Sequence, residues 1–288
     1  MNQILNDSRI TRLIQEALAE DIGLGDITTE SIIDDNATGA AEIILKENAI
    51  IAGIDLADII FRTVDAEIYF QKYANDGSFL SKNTKVAKVE GNLGSILKAE
   101  RTVLNFMQRM SGIATLTRQF VNAITGTNAK ITDTRKTAPG LRLIDKLAVK
   151  IGGGVNHRFG LDDMILIKDN HIAAAGGIEQ ALNKCLSYFK NSKLKYKIEI
   201  ETKNLEEVKQ VLKIGNIDRI MLDNFSIPDM TEAVKIINKK FEVEASGNIR
   251  LENVLQVAET GVDFISIGYL THSPKAIDIS MEIIPNHI

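Results

Sequence analysis

The hydrophobic pattern of the chain changes character near Gly112. Ahead of it, the spacing predicts a helix over Ser8–Glu20 and then short strand-like runs at Gly39–Lys46, Glu67–Tyr73 and Lys85–Glu90. Turn signals such as Asn75-Asp76-Gly77 and Gly91-Asn92 separate these runs, because Gly, Asn and Asp accept the backbone conformations that reverse a chain. An apolar-periodic stretch follows from Ser95 to about Ile124, one or two helices carrying Leu97, Val103, Leu104, Met107, Met110 and Ile113. This first part reads as a small α+β domain.

From Ala129 onward the alternation is regular. Short runs at Lys130–Asp133, Met164–Ile167, Lys197–Ile200, Arg219–Leu222, Glu242–Ala245 and Phe264–Ile267 alternate with helical stretches. The helical stretches include Leu141–Ile151, Ile178–Phe189, Leu205–Ile214, Asp229–Lys240 and Leu251–Thr260. Strand–helix alternation implies parallel strands with right-handed crossovers. Parity within the strands then chooses between an open doubly wound sheet and a barrel. Ile198 and Ile200 share one face while Glu199 and Glu201 share the other; Val243 and Ala245 oppose Glu242, Glu244 and Ser246. A doubly wound sheet needs apolar residues on both faces of its central strands. A barrel is covered by helices only outside, and its mouth tolerates inward polar groups where a ligand binds. The pattern favours the barrel.

Composition narrows the function. The 288 residues, 44% of them hydrophobic, are enough to bury a real core. A net charge of −4 argues against a surface that coats nucleic acid. Cys185 is the only cysteine, so no disulfide forms within the chain and a cysteine-based zinc site is disfavoured. The stretch Met1–Ile10 lacks the basic start and apolar run of a signal peptide, and no run approaches the roughly 20 apolar residues of a membrane span. The expectation is a cytoplasmic protein with neither membrane nor nucleic-acid partner.

The unusual residues gather where barrel chemistry is found, at the C-terminal strand ends. They are Arg135 and Lys136, Lys168, Glu201, Asp223, Ser246-Gly247-Asn248 and Gly268, in chain order. Arg158 adds a fourth cation, and His157 beside it offers another donor to a carboxylate. Like charges crowded into a cleft repel unless something anionic fills it. Arg suits planar capture of carboxylate or phosphate, and Lys acts as a point charge. Glu201 and Asp223, with Glu199 and Glu244 on the same inward parity, suit hydroxyl groups or a Mg²⁺ bridging phosphate oxygens. The last two loops, at Ser246–Asn248 and Gly268, lie where barrels seat a phosphate. The substrate implied carries phosphates or carboxylates together with a polyol. Gly152-Gly153-Gly154 lacks the Lys and Ser/Thr of a phosphate-cradling loop and reads as a helix stop and hinge. The segment Asp21–Thr29 reads as structured turns with capping groups. Lys168 also stands where a Schiff-base aldolase would keep its lysine, but the surrounding arginines speak against that chemistry.

Several segments resemble the quinolinate phosphoribosyltransferase family. They are Asp133-Thr134-Arg135-Lys136-Thr137-Ala138-Pro139-Gly140, Gly153-Gly154-Val155-Asn156-His157-Arg158, Ile167-Lys168-Asp169-Asn170-His171, Met221-Leu222-Asp223-Asn224 and Glu244-Ala245-Ser246-Gly247-Asn248-Ile249. Glu20–Thr29 and Ala99-Glu100-Arg101-Thr102 extend the likeness into the first domain. The resemblance implies an N-terminal α+β sandwich, residues 1–112, and an incomplete α/β barrel of about six strands, residues 113–274. It also implies that residues 275–288 return to the first domain, through a strand-like run at Ile277–Ile283. The implied reaction moves phosphoribosyl from 5-phosphoribosyl 1-pyrophosphate to quinolinate, releasing pyrophosphate and CO2 and giving nicotinate mononucleotide for NAD biosynthesis.

By the same resemblance, Arg101 reaches the neighbouring site of a head-to-tail homodimer. Thr134, Arg135, Lys136, His157, Arg158 and Lys168 bind quinolinate carboxylates and nearby phosphates. Glu201 and Asp223 stand beside the ribose and Mg²⁺, and Lys136, Glu201 and Asp223 are the candidates for catalytic work. Ser246, Gly247 and Asn248, with Ser266, Ile267, Gly268 and Tyr269, form the phosphate loops. No prosthetic group is implied. The chain departs from the family pattern by one inserted residue in Gly215–Asp218, a helix-to-strand loop at the far end of the barrel.

Overall fold

The computed structural model describes Leu5, residues 7–190 and residues 195–284. His287 and part of the Met1–Ile10 stretch lie outside the described residues. The chain divides into two compact units. One runs to Arg118 and takes in Thr137–Gly153 and the chain from Tyr269 on; the other comprises Gln119–Lys136 and Gly154–Gly268. These bounds differ from the expected 1–112 and 113–274, chiefly because the helix Arg142–Ile151 groups with the first unit.

The first unit is an α+β sandwich around an antiparallel sheet. Its strands are β1 (Thr38–Leu45), β3 (Tyr69–Lys72), β5 (Lys85–Asn92) and β12 (Ile279–Ile284), in the order β12-β1-β5-β3. The run expected at Ile277–Ile283 is β12, which lies antiparallel to β1 with Ile43 opposite Met281. Two short strands, β2 (Ala49–Ile50) and β4 (Phe79–Leu80), pair beside the sheet. Helix Ser8–Ile22 starts where Asp7 accepts the Arg9 N–H, and it buries Ile10, Ile14 and Leu18 along one face. Four-residue spacing stacks these side chains, and burying each contributes roughly 1.5–3 kcal/mol. Ile43, Leu45, Phe61, Val86 and Val89 complete this apolar core.

Asp21–Thr29, read as capped turns, holds a short helix as well: Ile27–Ile32, begun by Asp26 accepting the Thr29 N–H at 3.0 Å. Ser95–Ile124 is one continuous helix, Leu93–Ala123, so the change of pattern near Gly112 falls inside it. A Cβ at Gly112 would stand 2.1 Å from the Lys275 carbonyl oxygen. That close approach, not flexibility, is what glycine provides here. Helix Arg142–Ile151 stops at Gly152, as the triple glycine predicts.

The second unit is an incomplete α/β barrel. All six strands are parallel: β6 (Lys130–Thr132), β7 (Ile165–Ile167), β8 (Ile198–Thr202), β9 (Arg219–Asp223), β10 (Glu242–Ser246) and β11 (Phe264–Ser266). Their order is β6-β11-β10-β9-β8-β7, and among the described residues β6 and β7 do not pair. The segment after the glycines occupies that seam. Val155 donates its N–H to Ile131 and accepts from Asp133 along the free edge of β6, and the Arg158 guanidinium reaches the Met164 carbonyl just before β7. Two of the crossover helices begin at side-chain caps: Asn204 accepts from Glu207 N, and Ser226 accepts from Asp229 N. The inserted residue near Gly215–Asp218 lies ahead of β9, with Gly215 and Asn216 at positive φ, at the end of the strand opposite Asp223.

At mid-barrel the charged parity of the strands faces inward and is dry. Glu199 and Glu244 are fully buried, and Arg219 nearly so.

Candidate active site

The parallel register levels the strand ends at one rim. Ser246 stands beside Asp223, Ser266 beside Thr132, Ile167 beside Ile200 and Glu201 beside Met221. The expected cations and acids follow from that levelling. Arg158 is buried, and burial first, then the charge of Arg135, holds its pKa below the usual guanidinium range, with Glu199 and Asp163 opposing. The charge of Arg135 is therefore felt at Arg158. Burial, and then Asp223, raises the Glu201 carboxyl above its usual range, while Lys168 pulls it down. Glu201, Asp223 and Lys168 are thus a second group on the same rim. Lys136 is exposed, and its N–H bonds to Thr134 Oγ1 at 3.0 Å. Lys168 is exposed at the start of helix Asp169–Ala175, where its N–H bonds to His171 Nδ1. Two guanidiniums held close, with a lysine beyond, suit a small planar anion with more than one carboxylate.

Beneath the rim lies an arrangement that sequence parity only half anticipated. His157, expected to donate to a ligand carboxylate, turns its ring inward, with the side chain 5% exposed. Its Nδ1 accepts the Arg158 N–H at 2.8 Å, and its Nε2 lies 2.9 Å from Glu199 and 3.5 Å from Glu244. Neither ring nitrogen is open to a ligand in this arrangement. Glu199 and Glu244 likewise serve the interior, not the anion site. Arg219 Nη1 donates to Glu244 at 2.7 Å, and its guanidinium lies 3.8 Å from the Phe264 ring centroid. Burial pushes the Glu199 carboxyl up to about 7 against the pull of Arg219. It raises Glu244 to about 7 as well, with Glu199 adding to the effect.

The loop after β10 is shaped by its neighbour after β9. Asn224 and Asn248 are both left-handed, at φ 57° and 52°. Asn248 Nδ2 donates to Asn224 Oδ1 at 2.9 Å, and Asn224 Nδ2 donates to Asp223 Oδ2 at 2.9 Å. Gly247, at φ 94°, sits under that amide; a Cβ there would lie 2.2 Å from Asn224 Oδ1. This makes the glycine obligatory.

The last loop departs from expectation. Ser266 turns its hydroxyl to the Ala245 carbonyl at 3.3 Å and toward Glu244, and Ile267 gives its N–H to Thr132 O at 3.0 Å. Both are buried and serve the barrel wall: Ser266, on the inward parity of Glu244, meets the interior before it meets solvent, and Ile267 points to the other face. Gly268 is half-buried at the rim. Tyr269 and Arg101 belong to the first unit, and each is exposed.

Sequence reasoning missed Asp133 and Asn156 as builders of the site. Asp133 is fully buried and accepts from His157 N at 2.9 Å and Asn156 Nδ2 at 2.5 Å. A carboxylate at the end of the short run Lys130–Asp133, two residues before the cationic pair Arg135-Lys136, was the available signal.

Comparison with known proteins agrees along the chain. Residues 26–111 match the family model for the quinolinate phosphoribosyl transferase N-terminal domain, and residues 113–282 match that for its C-terminal domain. A quinolinate phosphoribosyltransferase [decarboxylating] of Nicotiana glauca is 49% identical over 95% of this chain and 82% of its own length. A probable nicotinate-nucleotide pyrophosphorylase [carboxylating] of Synechocystis sp. is 45% identical over 95% of this chain and 92% of its own. Among solved structures, the nicotinate-nucleotide pyrophosphorylase of Francisella tularensis superposes with a TM-score of 0.90 at 42% identity, covering 96% of each chain.

Proposed function

Since the chain belongs to the quinolinate phosphoribosyltransferase family, we infer that it joins quinolinate to the phosphoribosyl group of 5-phosphoribosyl 1-pyrophosphate, with decarboxylation, to give nicotinate mononucleotide. The observation that carries this reading is the gathering of Arg135 and Arg158 on the rim that also bears Lys168, Glu201 and Asp223. Arg135, Arg158 and Lys168 hold the two ring carboxylates so that the ring nitrogen faces the anomeric carbon. Such orientation is worth several orders of magnitude in rate. Lys136 and Thr134 stand beside them for the phosphates. The carbon–oxygen bond to pyrophosphate breaks, the ribose gains oxocarbenium character, and Glu201 or Asp223 steadies it. The ring nitrogen bonds to the anomeric carbon and becomes cationic, the 2-carboxylate leaves as CO2, and the electron pair left behind, stabilised by the adjacent cationic nitrogen, takes a proton from water.

Glu201 and Asp223 repel each other, which fits a pair that shares a divalent cation. They would hold Mg²⁺, which when bound would offset charge on the departing pyrophosphate. Gly247, Asn248 and Gly268 supply backbone to the ribose phosphate. A cytoplasmic location is our reading of the lone Cys185, which gains nothing from an oxidising compartment. Among the described residues no helix is long and apolar enough to cross a membrane.

Arg135→Ala and Lys168→Ala should each cut turnover of quinolinate by roughly 100-fold or more, since each strips a partner from a bound carboxylate. The far-ultraviolet spectrum should not change. Pyrophosphate release, measured with and without Mg²⁺, is the readout, and near-normal rates in both variants would remove the carboxylate clamp.

Arg101, exposed on helix Leu93–Ala123, is read as the residue one subunit lends to the other in a homodimer. Mixing Arg101→Ala with Lys168→Ala subunits should then recover activity through hybrid dimers. No recovery after demonstrated subunit exchange counts against the shared site.

A further inference from the structure

The barrel interior holds ionisable groups that the reaction above does not use. Glu199 and Glu244 are fully buried, and each leaves its Oε1 without a hydrogen-bond partner among the described residues. Apolar residues of similar volume there would be as stable or more so, because buried ion pairs seldom repay their desolvation. Barrel interiors are ordinarily filled by branched apolar side chains. A chain that keeps two carboxylates and an imidazole in this layer puts them to some other use.

The geometry says what that use is. The Arg158 N–H points at His157 Nδ1 across 2.8 Å, so Nδ1 carries a lone pair and the ring proton sits on Nε2. Nε2 then donates to Glu199 Oε2 at 2.9 Å, with Glu244 Oε2 at 3.5 Å behind it. Glu244 is itself held by Arg219 at 2.7 Å. From the other side, Asp133 holds the His157 N–H and the Asn156 amide. Glu199 thus holds the ring and Asp133 the backbone of His157, while Nδ1 supports the backbone of Arg158.

A metal ion is the alternative occupant, since the candidate ligand atoms of His157, Glu199 and Glu244 lie within 4.8 Å of one another. An imidazole bound to metal through Nε2 carries its proton on Nδ1. That proton would meet the Arg158 N–H head-on at 2.8 Å. The donor arrangement rejects the ion.

We propose that Glu199 and Glu244 are positioning residues: they hold His157 in the Nε2–H form so that its Nδ1 fixes the Arg158 main chain, and with it the guanidinium that grips the substrate's carboxylates. The proposal rests on the transferase reading for the purpose of the grip, but not for the state of the histidine. It assigns the pair to quinolinate recognition, not to phosphoribosyl binding or to the chemical step.

A long-range ¹H–¹⁵N spectrum of histidine-labelled protein, without substrate, tests the first half. His157, assigned by its loss in His157→Gln, should show a bare Nδ1 and a protonated Nε2; the opposite tautomer or a doubly protonated ring overturns the proposal. Glu199→Leu removes the acceptor at similar volume and should blur that signature. It should also raise the KM for quinolinate about tenfold, the worth of one hydrogen bond to a charged group, with kcat and the KM for phosphoribosyl pyrophosphate within about twofold. Glu199→Gln keeps an acceptor oxygen and should restore both readouts. Equal changes in both KM values, or a fall in kcat alone, overturns the positioning role. If Glu199→Leu does not fold, the wild-type spectrum and the Glu199→Gln kinetics still decide. A wild type inert toward quinolinate would overturn the transferase reading and the purpose assigned to the pair, a failure distinct from the wrong tautomer.

Discussion

Along β1 and β5 of the first unit, Glu42 and Lys85 meet near the surface at 2.7 Å while Ala41, Ile43, Val86 and Val89 are buried. Along β8, β9 and β10 of the second unit the arrangement is inverted, and Glu199, Arg219 and Glu244 take buried positions. The alternation of apolar and charged residues is alike in both sheets. What differs is the address of the charged face: solvent for an antiparallel sheet with one wet side, the interior for a parallel barrel clad in helices. A charge on a wet face is nearly neutral for stability, whereas a charge inside must be met by partners. The second unit accordingly spends Arg219, His157 and Ser266 on its two glutamates.

The contrast can be broken most forcefully at Glu244. Glu244→Ala takes from Arg219 its buried partner, leaving only the partly exposed Glu242 at 3.1 Å, and should destabilise the protein by about 3 kcal/mol in denaturant titrations. A loss below about 1 kcal/mol would mean that the interior charges are not energetically coupled.

Asp76 sharpens the comparison from the other side, as a mostly buried carboxyl in the first unit. It accepts the Ile54 N–H at 2.9 Å at the start of helix Ile54–Val64, and burial pushes it up to about 6. A carboxyl whose folded pKa exceeds its unfolded value stabilises the fold below the unfolded pKa and loses that contribution as pH rises through the folded one. Between pH 4 and about pH 7 the wild type should therefore lose on the order of 2–3 kcal/mol that Asp76→Asn does not lose. Parallel stability–pH curves for the two proteins would contradict the assignment.

The smallest effect is expected at Glu42. Glu42→Ala breaks only the pair with the exposed Lys85 and should cost less than about 1 kcal/mol. A loss comparable to that of Glu244→Ala would erase the distinction between the two sheets.

Much of the fold was legible in the chain. Helix Leu205–Ile214 matches its predicted bounds, β9 and β10 each run one residue beyond theirs, and β12 begins two residues late. Helix Ile54–Val64 went unread although the signal was present: Ile54, Ala57, Ile60 and Phe61 recur at helical spacing, with Asp55, Asp58 and Arg62 on the other face. At the site, the strand-end residues were legible because strands end where apolar runs end. Those that were not, Asp133, Asn156 and Arg219, act by bonds to residues far away in the chain or inside the barrel. Ser266 and Ile267 were misplaced for a related reason, since counting from a strand end does not tell rim from wall.

The chain by itself determined the order of the elements, the inventory of cations and acids at the strand ends, and the likeness to a family. Each of these is a local property, set by side-chain period and by short runs of residues. Only the tertiary structure decided that Val155–Arg158 covers the seam between β6 and β7, that the His157 ring turns inward, and that two glutamates share it. Those outcomes depend on barrel closure, which brings together atoms whose separation along the chain carries no record of their contact.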